Sequence, residues 1–438
     1  MPSQFDPPSG TRDFLAAAVE RRERAFATIK SVFVRYGYEP LQTPSFERVD
    51  VLLGKYGDEA DQLVFKILRR GEHEASGEAD LALRYDMTVP LARVAAAYGS
   101  QLPMPYKRYA MGPVWRADRP GKDRYREFLQ CDLDTLGSES LLADAEALCA
   151  QHDAYAELGL RQFAIQLNSR RVLRGLLEAF GVPEAIGPSV LISLDKLDKL
   201  APDDVVAELA GRGLPQDQAA EVVGALTGPD SAEQIRAALA KTDEGTAGMD
   251  EVDTLLSLVA DQIPAGRISF TPRMVRGLSY YTGPIWEVVA DGVAGAIGSG
   301  GRYDHLISQL GGPDVPATGS SIGVERIWSL LPGADGADAG RLDVAVTVMR
   351  PELAAASFNL TGAARSAGLR ASIYLGSSGK LGKQLKWASD SGARWCLIYG
   401  DQEHEAASVT VRDMRSGEQA MVPIGELTPY LAERGQAG

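Results

Sequence analysis

Cysteine and histidine are scarce in this chain of 438 residues: Cys131, Cys149 and Cys396 lie far apart, and so do His73, His152, His305 and His404. This excludes a disulfide framework and a zinc site built on closely spaced ligand pairs, and it makes a reducing cytoplasm the expected compartment. Long apolar runs are missing as well. No stretch approaches the roughly 18 residues of a membrane span. The opening residues, Met1-Pro-Ser-Gln-Phe-Asp6, lack a basic start followed by an apolar stretch, so no secretory signal is expected. The glycine-based phosphate motifs also fail. There is no GxxxxGK[ST], and Gly298-Ser-Gly300-Gly301 neither completes GxGxxG nor sits in a βαβ unit, so a strand turn is the expected role of those glycines. Any phosphate handled by this protein must meet arginine side chains.

The chain is 45% hydrophobic and 24% charged, which is ordinary for a globular protein and excludes a disordered or fibrous one. At roughly 150 residues per domain, about three domains are expected. The net charge of −14 argues against nonspecific nucleic-acid binding, but the charge is unevenly distributed. Residues 201–260 carry a balance of −9, whereas 106–126 and 341–400 each carry +5. Local positive surface, more than net charge, sets contact with phosphates.

The spacing predicts a first helix capped by Asp13, with Phe26, Ile29 and Phe33 on one face and Gly37 as its stop. The segment Tyr38–Glu47 is extended and broken by Pro40 and Pro44. From 81 to 137, short β-like runs alternate with Pro, Gly and Arg, with one helix near Val89–Tyr98; this predicts an antiparallel sheet with a polar face. Residues 172–262, rich in Ala, Leu, Asp and Glu at helical spacing, predict a helical insertion. Strands return at Ile268–Phe270 and Ile285–Val289. The small-residue run Pro332–Gly340 reads as a linker. Beyond it strands alternate with helices, as in a compact α/β domain.

The chemistry concentrates in the basic stretch. Arg116, Arg124 and Arg126 flank the loop Arg119-Pro-Gly-Lys122, between a strand ending near Arg116 and one running from Arg124 to Asp134. Such a hairpin can aim planar guanidinium forks at phosphate oxygens. On the returning strand, period two places Phe128, Gln130, Asp132 and Asp134 on one face. Taken singly, each of these arginines reads as a surface ion pair. Together with an amide, an aromatic ring and two carboxylates they read as a binding surface.

These residues resemble a known family. Gly112-Pro-Val-Trp-Arg116 through Asp134 resembles motif 2 of the class II aminoacyl-tRNA synthetases. Tyr36-Gly-Tyr-Glu-Pro-Leu-Gln-Thr-Pro44 resembles motif 1, the dimer-forming segment, and Gly319-Ser-Ser-Ile-Gly323-Val-Glu-Arg326 resembles motif 3. Arg276-Gly-Leu-Ser-Tyr280-Tyr281-Thr-Gly, Gly300-Gly-Arg-Tyr303-Asp and Leu83-Arg-Tyr-Asp86-Met-Thr88 are similar to signatures of the histidyl-tRNA synthetases. The likeness runs in order from about residue 6 to 430.

The resemblance implies a mixed α/β (α+β) fold: an antiparallel catalytic sheet flanked by helices, a helical insertion and a C-terminal α/β anticodon-binding domain. The implied boundaries are 1–171 and 263–331 for the catalytic domain, 172–262 for the insertion, 332–341 for the linker and 342–438 for the anticodon-binding domain. It implies ATP as substrate, Mg2+, L-histidine, histidine tRNA and a homodimer, with no membrane. The site residues follow from the same likeness. Arg116 would hold the α-phosphate and Arg124 the outer phosphates. Phe128 and Arg326 would sandwich the adenine, with Asp118 near its edge, and Arg276 would reach both the α-phosphate and the substrate carboxylate. Asp86, Thr88 and Gln130 would receive the ammonium group. Asp134 and Tyr281 would bind the imidazole nitrogens, between walls made by Tyr280 and Tyr303.

Two positions depart from the family pattern. Ser279 stands where relatives often have Asp, and Asp123 stands where many have Gly, placing a carboxylate on the loop that faces RNA. Two rivals lead elsewhere: a synthetase-like regulatory subunit of histidine biosynthesis, and a class II synthetase for another amino acid. The terminal domain and the retained Arg116, Arg124 and Arg326 oppose the first; the Arg276–Gly283 signature opposes the second.

Overall fold

The computed structural model describes residues 5–54, 62–71, 76–198, 200–228, 231–275, 280–331 and 342–435. Internal contacts divide these residues into two units, one containing 5–13 and 22–331, the other containing 14–21 and 342–435.

The first helix spans Ala16–Arg35. Ile29, Val32 and Phe33, spaced to share one face, are wholly buried, and each such burial is worth about 1.5–3 kcal/mol. Gly37 ends the turn at φ 77°, a left-handed conformation that costs glycine little. Strands β1 (Glu39–Pro40) and β2 (Phe46–Arg48) take up the proline-broken segment, followed by β3 (Lys66–Leu68) and β4 (Ala79–Leu83). The helix Thr88–Tyr98 comes next, and then the long hairpin of β5 (Tyr106–Trp115) and β6 (Glu127–Leu136). Five more strands complete this unit: β7 (Ala164–Ser169), β8 (Ile268–Phe270), β9 (Pro284–Val289), β10 (Gly298–Arg302) and β11 (Ala317–Gly323).

The main sheet has eight strands in the order β1-β5-β6-β11-β10-β9-β7-β8. Its edge pairs β1–β5 and β7–β8 are parallel and the pairs between them antiparallel. Strands β2, β4 and β3 form a small antiparallel sheet. Helices follow from Arg170–Ala179 to Asp243–Val259, where the composition predicts them, and they share one continuous core with the sheet, from Leu133 and Leu167 to Leu209, Val223 and Val252.

Gly298–Gly301, expected as a turn, instead lie in β10 in the middle of the sheet. The glycines answer crowding, not chain reversal. A Cβ on Gly300 would lie 2.3 Å from the Trp286 ring, and one on Gly301 would lie 2.8 Å from the Tyr281 ring.

The second unit contains β12 (Val344–Val346), β13 (Ala371–Ile373), β14 (Trp395–Ile398), β15 (Ser408–Asp413) and β16 (Gln419–Pro423). Their order is β13-β12-β14-β15-β16, with β12 parallel to both its neighbours and the last two pairs antiparallel. Helices Ala354–Ser366, Leu381–Asp390 and Leu427–Gly435 accompany them. These elements occupy the places given by the alternating strand and helix spacing.

Candidate active site

The β5–β6 hairpin sets the floor of the site. Along β6, Cys131 and Leu133 enter the hydrophobic core, while Gln130, Asp132 and Asp134 face the other way and are still at least nine-tenths buried. On the partner strands the residues opposite Asp134 are Arg108 and Gly319. Arg108 is fully buried and its Nη2 lies 2.7 Å from Asp134 Oδ2, while the same nitrogen donates to the Met87 carbonyl at 3.0 Å. The Tyr303 hydroxyl donates to Asp134 Oδ1. Gly319 is required here, because a Cβ would stand 2.2 Å from Asp134 Oδ1 and 2.5 Å from the Leu133 carbonyl. Burial raises the Asp134 carboxyl above its ordinary value, and the Arg108 charge opposes that shift without cancelling it.

Asp86 closes one side. It is 3% exposed, and its Oδ1 accepts from Thr88 N and Val89 N, each at 3.1 Å, so that it caps the helix Thr88–Tyr98. Gln130 Nε2 donates to Ser321 Oγ at 2.9 Å. Three tyrosines form the opposite wall: the Tyr280 ring centroid lies 5.0 Å from that of Tyr281 and 5.7 Å from that of Tyr303. The Tyr281 phenol is held well above its ordinary value, first by burial and then by the negative charges of Asp134, Asp86 and Asp132. It stays protonated and can donate a hydrogen bond.

Beyond this pocket the arginines occupy the hairpin. Arg116 Nε donates to the Tyr85 carbonyl at 3.2 Å, and its guanidinium lies 4.2 Å from the Tyr85 ring centroid and 5.1 Å from that of Phe128. Arg124, exposed, pairs with Asp118 at 2.7 Å. Arg326 donates to the Ala296 carbonyl from the helix that follows β11. Arg276 and Ser279 fall outside the described residues. Asp123 adopts φ 58°, the left-handed region that explains why glycine suits this loop position.

The structure therefore brings Asp86, Gln130, Asp134, Tyr280, Tyr281 and Tyr303 into one pocket, with Thr88 bonded to Asp86 and Arg116 over Phe128. Several residues around it escaped the sequence reading. Arg108 counted only as part of the basic stretch, although hairpin register places it opposite Asp134. Asp132 was seen on the polar face with no role. Glu325 lies within the motif 3 stretch but carries no role there: it is buried between Arg12 and Arg22, with Arg22 Nη2 at 2.8 Å from Oε1. Burial works to raise the Glu325 carboxyl, but the two arginines outweigh it and hold it below the usual range. Arg12 also stacks 3.4 Å from the Tyr125 ring centroid, and the Gly10 carbonyl accepts from Arg126 N at 2.8 Å. The N-terminal residues thus tie the hairpin to the β11–helix unit.

Comparison with known proteins gives the family. Residues 10–327 match the family model for histidyl-tRNA synthetase, and residues 343–434 match the one for an anticodon binding domain. The chain belongs to the histidyl-tRNA synthetase family. It is 37% identical over 456 residues to a histidine–tRNA ligase of Gloeobacter violaceus, covering 97% of this chain and 98% of that one. It is 38% identical over 455 residues to that of Ruegeria pomeroyi, covering 94% and 90%. Its fold matches the crystal structure of a histidyl-tRNA synthetase from Nostoc sp. PCC 7120 with TM-score 0.78 at 29% identity, over 99% of this chain and 100% of that one. A Bacillus halodurans protein described as an ATP phosphoribosyltransferase regulatory subunit/histidyl-tRNA synthetase matches with TM-score 0.74 at 21% identity, covering 89% and 97%. That likeness shows the fold alone.

Proposed function

We propose that this histidine–tRNA ligase activates L-histidine in the pocket between Asp86, Gln130, Asp134 and the tyrosine wall, forming histidyl-adenylate and pyrophosphate from ATP, and then passes the histidyl group to the 3' end of its tRNA. The observation that carries this placement is the buried Arg108–Asp134–Tyr303 chain facing Tyr281. An imidazole needs a partner on each nitrogen. Ionised Asp134 accepts from one ring N–H, and the protonated Tyr281 phenol donates to the other nitrogen. An isostere lacking those nitrogens would leave buried polar groups unpaired. Asp86, Thr88 and Gln130 receive the ammonium group.

A substrate carboxylate oxygen then attacks the α-phosphate, and pyrophosphate leaves. The reaction moves few protons, so positioning and neutralisation of phosphate charge carry the catalysis. Arg116 and Arg276 are the catalytic arginines in this reading, reaching the α-phosphate. Arg124 turns from Asp118 to the outer phosphates, and Arg326 leaves the Ala296 carbonyl to cover the adenine on the Phe128 ring. Among the described residues no three His, Cys, Asp or Glu side chains gather to hold a metal. Mg2+ would enter with the ATP phosphates and neutralise part of their charge, with one or two carboxylates and water as its further ligands.

The proposed organisation has catalytic segments 1–171 and 263–331 around the insertion 172–262, and a domain from 342 that reads the anticodon. The enzyme works as a cytoplasmic homodimer through the Tyr36–Glu47 segment. Among the described residues no helix is long and apolar enough to cross a membrane. The test is ATP–pyrophosphate exchange with each amino acid in turn. Only histidine should support exchange; exchange with another amino acid, or with none, would overturn the reading.

A further inference from the structure

The pocket floor contains a buried carboxylate that the reaction above leaves unused. Asp132 sits on β6 between Gln130 and Asp134, is 2% exposed, and its Oδ1 is buried with no hydrogen-bond partner among the described residues. Gln130 Oε1 beside it is likewise buried and unpartnered. The Ser321 hydroxyl, on β11 in register with Asp132, accepts from Gln130 Nε2 at 2.9 Å. Two acceptor atoms to which no described residue donates mark a place on this buried floor for a further donor.

The charge balance identifies that donor. Three carboxylates face the floor: Asp86 from the turn before the helix Thr88–Tyr98, and Asp132 and Asp134 from β6. Among the described residues two guanidinium groups oppose them. Arg108 on β5 is paired with Asp134, and Arg84 after β4 is held by the carbonyls of Pro113, Thr43 and Pro44. Arg84 gives Asp132 only a longer-range attraction. Ser321 and the protonated Tyr281 are neutral, and Arg116 lies further out over Phe128. Among the described residues, with all three carboxylates ionised, the floor carries one more negative than positive charge, and its carboxylates are nearly fully buried. One bound proton removes that excess, and so does one ammonium group.

We propose that Asp132 exchanges its proton for the substrate ammonium: it is protonated in the empty pocket and ionised once the amino acid is seated, the proton passing to solvent. The inference rests on the pocket assigned above as the amino-acid site. Burial raises the Asp132 carboxyl to about 7, helped by Asp134 and Asp86 and opposed by Arg108, so the exchange falls near neutral pH. An arriving ammonium reverses the balance by supplying a cation against Oδ1. Histidine binding therefore strengthens as pH rises through this range and releases acid as it occurs.

Isothermal titration of L-histidine into the full-length protein, in buffers of equal pH and different ionisation enthalpy, counts the protons. At about pH 6 the wild type should release about 0.9 proton per histidine more than Asp132→Asn, and at about pH 8 about 0.1 more. Taking the difference cancels the titration of the histidine ring. From about pH 6 to about pH 8 wild-type affinity should rise about tenfold more than that of Asp132→Asn. Asp132→Glu should restore the release, and Asp132→Ser serves in place of the amide if that variant does not fold. Equal proton counts in wild type and Asp132→Asn, or affinities with the same pH dependence, would overturn the proposal. Asp86→Asn separates the two readings: if it too binds histidine as the wild type does, the pocket assignment has failed; if it weakens histidine while Asp132→Asn is silent, the proton exchange alone has.

Discussion

Arg108→Met is the sharpest test of how the site is held. Arg108 is completely buried, with its one charge set against Asp134 at 2.7 Å and a second bond to the Met87 carbonyl at 3.0 Å. Methionine keeps an unbranched apolar stem and removes the guanidinium charge. Deleting one partner of a buried ion pair typically costs about 3–5 kcal/mol, because the other charge is left uncompensated. The upper end is expected, since Asp86 adds like charge around Asp134. The cost also has a predictable pH dependence. Asp134 already titrates above its ordinary value, and an acid raised in the folded state destabilises that state as pH rises from the ordinary carboxylate range through the folded value. Without Arg108 that window widens upward. The loss should therefore be larger at about pH 8 than at about pH 5, because protonation of Asp134 at lower pH relieves it. Urea unfolding followed by far-UV circular dichroism measures it, with Arg108→Met/Asp134→Asn as the control that restores most of the stability but not histidine binding. A loss below about 1 kcal/mol, or one that is the same at both pH values, would refute the reasoning.

Three further outcomes are expected. Tyr281→Phe should weaken histidine and leave ATP binding unchanged, by about 0.5–1.5 kcal/mol for the lost hydrogen bond; unchanged histidine affinity in a calorimeter would remove Tyr281 from the pocket. Arg276→Ala should lower histidine-dependent pyrophosphate exchange by about 10²–10³ while the protein stays folded, and a near wild-type rate would withdraw its catalytic assignment. Gly319→Ala should abolish exchange and cost about 1–3 kcal/mol of stability, since its methyl would stand 2.2 Å from Asp134 Oδ1 and 2.5 Å from the Leu133 carbonyl; an active, stable variant would mean that β6 and β11 can separate freely there.

Much of this molecule was legible in order along the chain. Periodicity alone located the first helix, the helical stretch and the strand–helix alternation of the second unit, because each element buries one face and leaves a local pattern of apolar residues. Period two on β6 separated Cys131 and Leu133 from Gln130, Asp132 and Asp134, which is the division between core and pocket floor. The family signatures added roles to residues that spacing could only group. Tertiary structure decided what those residues meet. Gly298–Gly301 looked like a turn because flexibility is the local signal of glycine, yet they form a central strand whose neighbours Trp286 and Tyr281 leave no room for a Cβ. Arg12 and Arg22 converge on Glu325 from more than 300 positions away, and no local pattern encodes that. The protonation of Asp132 and Asp134 likewise depends on how deeply the sheet buries them and on where Arg108 lies across the hairpin. Sequence supplies the ionisable group, but its charge is set by the solvent the fold excludes and by the partners it brings within a few ångströms.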